Sequence, residues 1–437
     1  MSSDMRFIER FIPKEQEGSY FTIPFDVPAD SETLAIQYGY ERHREQYGAA
    51  GDERFTAQEE VNIIDLGLID PTGRQIGASG SDKQAIFISE VSATPGYRPT
   101  PLTAGQWQIL VGAYKIDPEG TRVYYEVRIV EKSPRLLKGD LHAHTLASDG
   151  VHTVAELAAK ALRHGLDFLA ITDHNQAVAA NELPRGAGIT LIPGLEWTHY
   201  RGHANFLGVD QPYDGTFAAN TEEEVRARFN SARERGALIT LNHPFEEHYG
   251  FLFDFTTLPF DCLEIWNGPM RESNLRALGL WQSLLMAGRK VPICGGSDYH
   301  RDTPFLFLGG PTTCVYTLSH GPSDILAALR AGHSYITFAP NGPSLEFEAG
   351  EAILGDTVSW AERQSVHILV DGLTRGDAIR LVTPRGVETL CEAPASGKFE
   401  TDHPLPAPGF ARIELWRSFL PGIPQLPALL SNPIYFE

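Results

Sequence analysis

Histidines and carboxylates recur through the middle of the chain: His142 and His144 with Asp149 in GDLHAHTLASDG, Asp173 and His174 in AITDHN, Glu196 in IPGLEW, His203 in RGHANFLG, His243 in TLNHPF, and Asp298 and His300 in GGSDYH. Imidazole nitrogen combined with carboxylate oxygen is ligand chemistry for zinc, manganese or iron. In an extended strand residues i and i+2 point the same way, so His142 and His144 present two imidazoles to one side, about 6.5 Å apart along the backbone. Asp298 and His300 repeat that geometry. A carboxylate such as Glu196 has two oxygens with which to bridge two cations, and a pair about 3.5 to 4 Å apart activates a water between them and polarises the bond under attack. Each fragment alone also has a structural reading, as a helix cap or a buried, hydrogen-bonded histidine. Their conjunction at successive strand ends is what points to metal.

Around these motifs, apolar strands (LLKGDLHA, DFLAIT, ITLIPGLE, HANFLGV, ALITLN, CLEIWN, VPICGGS, TTCVYT) alternate with helical stretches over Thr153 to His164, Glu222 to Arg235, Asn274 to Ala287 and Ser323 to Ala331. Strand-helix alternation implies a parallel sheet, and seven or eight strands suggest a closed, distorted β/α barrel with its chemistry at the C-terminal strand ends. From about residue 19 to 132 the chain instead shows short alternating runs such as SYFTIPFDV, QWQILVGAYKI and RVYYEVRIV separated by turn residues, the pattern of a β-sandwich or jelly roll. After His333–Thr337 the helical signal ends, and SLEFEA, VHILVDGL, AIRLVT and ARIELWR predict a small C-terminal β-sandwich. The expected fold class is multidomain α/β plus all-β, divided at 1–133, 134–337 and 338–437.

Length agrees with several units, since 437 residues exceed the roughly 100 to 200 of one domain. Hydrophobic residues at 42% and charged residues at 21% are ordinary for globular chains, which excludes a disordered or fibrous class. Fifty-six acidic against 36 basic residues give a net charge of -20, which repels a nucleic-acid backbone. No run approaches the roughly 18 apolar residues of a membrane span. Cys262, Cys294, Cys314 and Cys391 lack C-x-x-C spacing and are expected to be reduced, so the chain reads as a cytoplasmic protein without membrane or nucleic-acid partners. A homo-oligomer is left open.

Taken as a set, the motifs resemble those of the polymerase and histidinol phosphatase (PHP) superfamily: an H-x-H, a later D-H, a glutamate after a strand, two single histidines and a closing D-x-H. The resemblance covers about Leu136 to Thr337 and implies a distorted (β/α)7 PHP barrel, two or three divalent metal ions (Zn, Mn or Fe) and hydrolysis of a phosphoester or related bond. It makes His142, His144, Glu196 and Asp298 ligands of one metal, has Glu196 bridge to a second held by His203 and His243, and gives a third to Asp149, His174 and His300. Asp149 stands where several relatives have histidine, and Asp173 is expected to orient a ligand. The flanking β-regions and the closing SNPIYFE also resemble a carbaryl-hydrolase-like branch, which cleaves an aryl carbamate.

These readings make the chain a metal-dependent hydrolase of a small-molecule ester, with Glu196, Asp298 and His300 as its catalytic residues and His300 favoured to serve the leaving oxygen. The leading substrate class is a small phosphomonoester or phosphodiester. A carbamate or carboxylic ester, or a non-catalytic metal-binding scaffold, are the alternatives. Arg201, Arg301 and His199 are candidates for substrate contact, and Trp197, Tyr200, Phe245, Tyr249 and Trp266 for an apolar wall beside an aromatic leaving group, although each also reads as ordinary barrel packing.

Overall fold

The computed structural model describes residues 3–46, 57–180, 182–184 and 186–437. The chain divides into two compact units, Met1–Ser133 and Pro134–Glu437.

In the first unit strict alternation builds the sheets. Along Thr121–Glu131, Val123, Tyr125, Val127 and Ile129 are buried while Arg122, Tyr124 and Arg128 face outward, as a period of two requires. One antiparallel sheet runs Ser3–Ile12, Thr121–Glu131, Ser31–Gly39, Ala85–Ser89, and a second runs Ser19–Val27, Gly105–Lys115, Ile63–Ile69, Gln75–Ser79. Both contribute to one core that includes Leu34, Leu66, Trp107, Ile109 and Tyr125.

In the second unit Arg135–Asp140, Phe168–Ala170 and Thr190–Ile192 run parallel, and Arg135–Asp140 also pairs antiparallel with Thr312–Thr317. A separate sheet holds Gly194–His199, Gly202–Leu207, Leu238–Leu241, Cys262–Asn267 and Ile293–Gly296. Gly202–Leu207 runs against both of its neighbours, and parallel pairing is confined to the last three strands. Isolated bridges, Ala143 to Tyr299 and His174 to Glu196, join the segments after Arg135–Asp140 and Phe168–Ala170 to the two edges of the second sheet. The expected (β/α)7 barrel is not confirmed: the strands lie in two mixed sheets with few helices between them. The reason is local: Gly194–His199 and Gly202–Leu207 are joined by the short Tyr200-Arg201 turn, and a tight turn makes an antiparallel pair where a parallel one needs a crossover helix.

Four α-helices stand among the described residues: α1 (Val154–Arg163), α2 (Glu222–Glu234), α3 (Glu272–Met286) and α4 (Pro322–Ala331). The first two begin with reciprocal capping boxes, Thr153 with Glu156 and Thr221 with Glu224, which satisfy amide donors left open by the first turn. Helix α4 opens with Pro322 and ends on Gly332 at φ 80°, where a left-handed residue closes the helix.

Residues 338–437 do not separate as a third compact unit. Leu426–Ser431 pairs with Ser334–Thr337 and carries that sheet on through Gly409–Arg417 and Ala378–Thr383. This extension packs against Ser344–Ala349 and Ser365–Leu373 through Phe347, Ile368, Val370, Leu381, Ile413 and Leu429. Asn432 of the closing segment accepts from the Ile293 amide (2.9 Å) and donates to the Ser334 carbonyl (3.0 Å), so the chain end stitches two strands of the site-bearing region. No helix among the described residues is long and apolar enough to cross a membrane.

Candidate metal centre

The site is assembled from residues at or just past strand ends. His142 and His144 follow Arg135–Asp140, His174 follows Phe168–Ala170, His243 follows Leu238–Leu241, and Asp298 and His300 follow Ile293–Gly296. Glu196 and His203 lie within the antiparallel pair. Phe168–Ala170, Gly202–Leu207, Leu238–Leu241 and Ile293–Gly296 are buried throughout, and Arg135–Asp140 becomes so towards its C-terminal end.

Glu196, fully buried, stands among the imidazoles. Its Oε1 lies 3.1 Å from His203 Nδ1, 3.2 Å from His142 Nε2 and 3.3 Å from His243 Nε2; its Oε2 lies 2.8 Å from His174 Nδ1 and 3.8 Å from His144 Nε2. Asp298 Oδ1 is 3.1 Å from His144 Nε2, 3.4 Å from His142 Nε2 and 3.6 Å from His300 Nδ1. Asp149 Oδ1 is 3.1 Å from His300 Nε2 and 3.6 Å from His174 Nε2.

Three sets of ligand atoms are close enough to share an ion: His144, Asp149, His174 and His300; His142, His144 and Asp298; and His142, Glu196 and His243. His203 reaches Glu196 and falls in none of the three sets.

Burial drives the Glu196 and Asp298 carboxyls upward, yet the neighbouring His142 and further histidines overcome it and hold both well below the ordinary carboxylate range. Burial pushes His142 down, but Asp298, Glu196 and Glu264 raise it well above the usual imidazole value. Burial holds His144 below its ordinary value. The centre thus gathers anionic charge and demands cationic charge in return. The buried His144 Nδ1 and His243 Nδ1 make no hydrogen bond, and a buried polar nitrogen left in that state is costly. Carboxylate oxygen and imidazole nitrogen in this density fit divalent transition metals.

Several residues that sequence reasoning passed over hold the cluster in place. Glu264 is 2% exposed, with Oε1 3.0 Å from His142 Nδ1 and Oε2 accepting from the His243 amide at 2.9 Å. Asp140, fully buried, accepts from the amides of His142, Ser297 and Gly309. Asn242 donates to Glu196 Oε1 at 2.9 Å. The available signal was an acid or amide inside an otherwise apolar strand, as in CLEIWN.

Other candidates sit elsewhere. Asp173, expected to orient a ligand, accepts instead from the Thr145 amide and hydroxyl (2.7 Å each) and the Ser148 hydroxyl (2.6 Å), anchoring the loop after His144. His199 has both ring nitrogens occupied, Nε2 with the Ala219 carbonyl and Nδ1 with the Arg201 amide, and stacks on Trp197. Arg201 lies over the Phe253 ring and reaches Glu222 and the Leu252 carbonyl. Arg301 is exposed. Trp197 and Trp266 are core residues, whereas Tyr200 and Tyr249 are exposed and Tyr249 lies 5.7 Å, ring to ring, from His203.

Residues 140–252 match the PHP domain family model. Over 107 residues the chain is 36% identical to the 5'-3' exoribonuclease Rnm of Salmonella typhimurium, covering 22% of this chain and 36% of that protein. It is 32% identical over 107 residues to the 3',5'-nucleoside bisphosphate phosphatase of Chromobacterium violaceum, covering 23% and 37%. The chain thus spans little more than a third of the length of these curated relatives. A solved two-domain protein from Bacteroides vulgatus, containing a predicted PHP-like metal-dependent phosphoesterase, aligns with 69% of this chain and 95% of its own at 18% identity and a TM-score of 0.41. The family match includes His142, His144, Asp149, His174, Glu196, His203 and His243 and stops before Glu264, Asp298 and His300, which complete the cluster. Residues 140–252 are thus similar to the PHP domain family.

Proposed function

We propose that the chain is a metal-dependent phosphoesterase that attacks a small phosphomonoester or phosphodiester with water. The observation that carries this reading is the Glu196 carboxylate, buried with His142, His174, His203 and His243 within 3.3 Å. The relatives support the bond type, since an exoribonuclease and a nucleoside bisphosphate phosphatase both act on phosphate esters. Divalent cations held at such a centre supply the positive charge that polarises a phosphoryl oxygen and brings the pKa of water towards neutrality.

The residues divide the work. His142, His144, Glu196 and His243 form the buried part of the metal-holding set, and Asp298, its side chain 25% exposed, leads from it to the solvent-facing part. Asp149, His174 and His300 form the solvent-facing part, their side chains 57%, 27% and 26% exposed. His300 donates from Nδ1 to the Asp298 carbonyl oxygen (2.9 Å), which fixes its ring and leaves Nε2 towards Asp149 and solvent. That edge is open to solvent, from which a leaving oxygen takes its proton while Nε2 stays free to hold a cation. Arg301, exposed beside His300, is the rim cation for the substrate's phosphate.

The small-molecule assignment rests on the net charge of -20, which opposes a long polyanion. The test is elemental analysis joined to hydrolysis assays on an aryl phosphate, an aryl phosphodiester, a short RNA and an aryl carbamate with added Mn, Zn or Fe. Two or three metals per chain with metal-dependent turnover of a small phosphate ester are expected. Turnover of the carbamate alone assigns the other ester class, preference for RNA overturns the small-molecule assignment, and no metal with no rescue leaves a scaffold.

A further inference from the structure

The strand Cys262–Asn267 supplies none of the three candidate ligand sets, yet it touches ligands carried by three other segments. Its pairing with Ile293–Gly296 is interrupted: Glu264 stands opposite Cys294 and Trp266 opposite Gly295, so Ile265 is an extra residue. In a regular strand Glu264 and Asn267, three apart, point to opposite faces; one inserted residue brings them to the same face, which is how a β-bulge re-aims side chains. Both are buried, 2% and 3% exposed.

Their contacts complete a frame. Glu264 Oε1 takes His142 Nδ1 (3.0 Å), and Glu264 Oε2 accepts from the His243 amide (2.9 Å) and from Asn267 Nδ2 (3.2 Å). Asn267 Nδ2 also donates to Asp298 Oδ2 (3.3 Å). His243 and Asp298 are two of the four described non-glycine residues with positive φ, 27° and 52°; such conformations are costly and persist only when their surroundings hold them. Gly296 leaves the room this needs, because a Cβ there meets His142 Cβ at 2.4 Å and Glu264 Oε1 at 3.0 Å.

We infer that Glu264 is the positioning residue of the metal centre: through the bulge it sets which nitrogen of His142 is free for a cation and, with Asn267, holds His243 and Asp298 in their strained conformations. This rests on the proposed metal-dependent reading. With Nδ1–H donated to Glu264, the lone pair of His142 lies on Nε2, the nitrogen that faces Glu196 and Asp298. A ligating imidazole generally needs such a partner, and its loss typically costs 10- to 100-fold in metal affinity.

Glu264→Gln separates this role from packing, because it keeps the volume. Oε2 already receives two N–H donors, so the glutamine oxygen takes that place and its NH2 group faces His142 Nδ1. His142 must then accept at Nδ1 and carry its proton on Nε2, which closes the coordinating nitrogen. The first measurement is the tautomer of 15N-labelled His142 in metal-free protein, wild type against Glu264→Gln, recorded at a pH high enough for the ring to be neutral; the second is zinc and manganese affinity by chelator competition. The expected result is Nε2 unprotonated in the wild type and protonated in the variant, with metal affinity lower by about 10- to 100-fold and the wild-type fold retained by circular dichroism. An unchanged tautomer with affinity within about twofold overturns the inference. Wild-type protein that binds no metal overturns the proposed function instead, while the tautomer comparison still decides the role of Glu264. If Glu264→Gln does not fold, Asn267→Ala gives the second reading: weakened metal binding supports the frame, and unchanged binding overturns it.

Discussion

Asp149 Oδ1 lies 3.1 Å from His300 Nε2, joining a loop that follows one strand to a loop that follows another at the solvent-facing edge of the cluster. The Asp149 side chain is 57% exposed, whereas His142 and His144 are fully buried. The edge of the centre is therefore built differently from its middle.

Asp149→Ala should remove the outer ligand set alone. His144, His174 and His300 remain, but three imidazoles without the carboxylate lose both a donor and a negative charge. Metal content should fall by one equivalent while the other sites stay filled, read by elemental analysis after dialysis. Thermal stability of metal-free protein should change little, because exposed substitutions usually fall within about 0.5 kcal/mol. Asp149→His should keep the metal. Loss of all metal from Asp149→Ala would show that the three sets do not fill separately.

Glu196→Gln should be far more damaging. One side of the carboxylate faces His142, His203 and His243 and the other faces His174, so an amide removes the charge and turns one side into a donor. Asn242 already donates to Oε1, which presses the amide NH2 towards His174. Bound metal should fall by more than one equivalent and turnover should drop below detection. Full activity in this variant would remove Glu196 from the bridging role.

Much of this centre was legible in the residues because metal ligation demands particular side chains. H-x-H at His142 and D-x-H at Asp298 are visible without knowledge of tertiary contacts, and so is the capping box at Thr153 and Glu156. What was not legible depended on pairing. Nothing in CLEIWN announces that Ile265 is bulged, and with regular alternation Glu264 and Asn267 would not share a face. The C-terminal strands read as a separate sandwich because SLEFEA and ARIELWR alternate cleanly; that Ser334–Thr337 continues into Leu426–Ser431 is a long-range pairing with no local signature. His199 is a candidate for substrate contact from its place between Glu196 and His203, but its ring is spent on the Ala219 carbonyl and the Arg201 amide.

Gly296→Ala should disable the centre without touching a ligand. The added methyl meets His142 Cβ at 2.4 Å and the His142 amide nitrogen at 2.9 Å, both in the immobile interior. His142 must shift, and it is the residue that faces Glu196, Glu264 and Asp298 together. Overpacking of this kind costs about 1 to 3 kcal/mol, so the variant should fold with a lowered melting temperature and lose metal affinity. Wild-type metal binding in Gly296→Ala would mean the strand has slack that these distances deny.

A buried arginine ties the C-terminal strands to the site-bearing region. Arg412, on Gly409–Arg417 and 2% exposed, donates to Glu414 (2.5 Å) and to Gln282 of α3 (2.7 Å) and lies 4.8 Å over the Trp281 ring. Arg412→Ala leaves Glu414, itself 5% exposed, as a buried charge without its cation, and breaking a buried pair from one side costs about 3 to 5 kcal/mol. Replacing both partners by apolar residues of similar volume is often neutral or stabilising, so Arg412→Met with Glu414→Leu should recover much of the loss. Chemical denaturation followed by the fluorescence of Trp281 and Trp416 reads this directly. If the single variant loses stability as a separate early transition, the C-terminal strands unfold by themselves; a single shifted transition, expected from the shared sheet, makes them one cooperative unit with the metal centre.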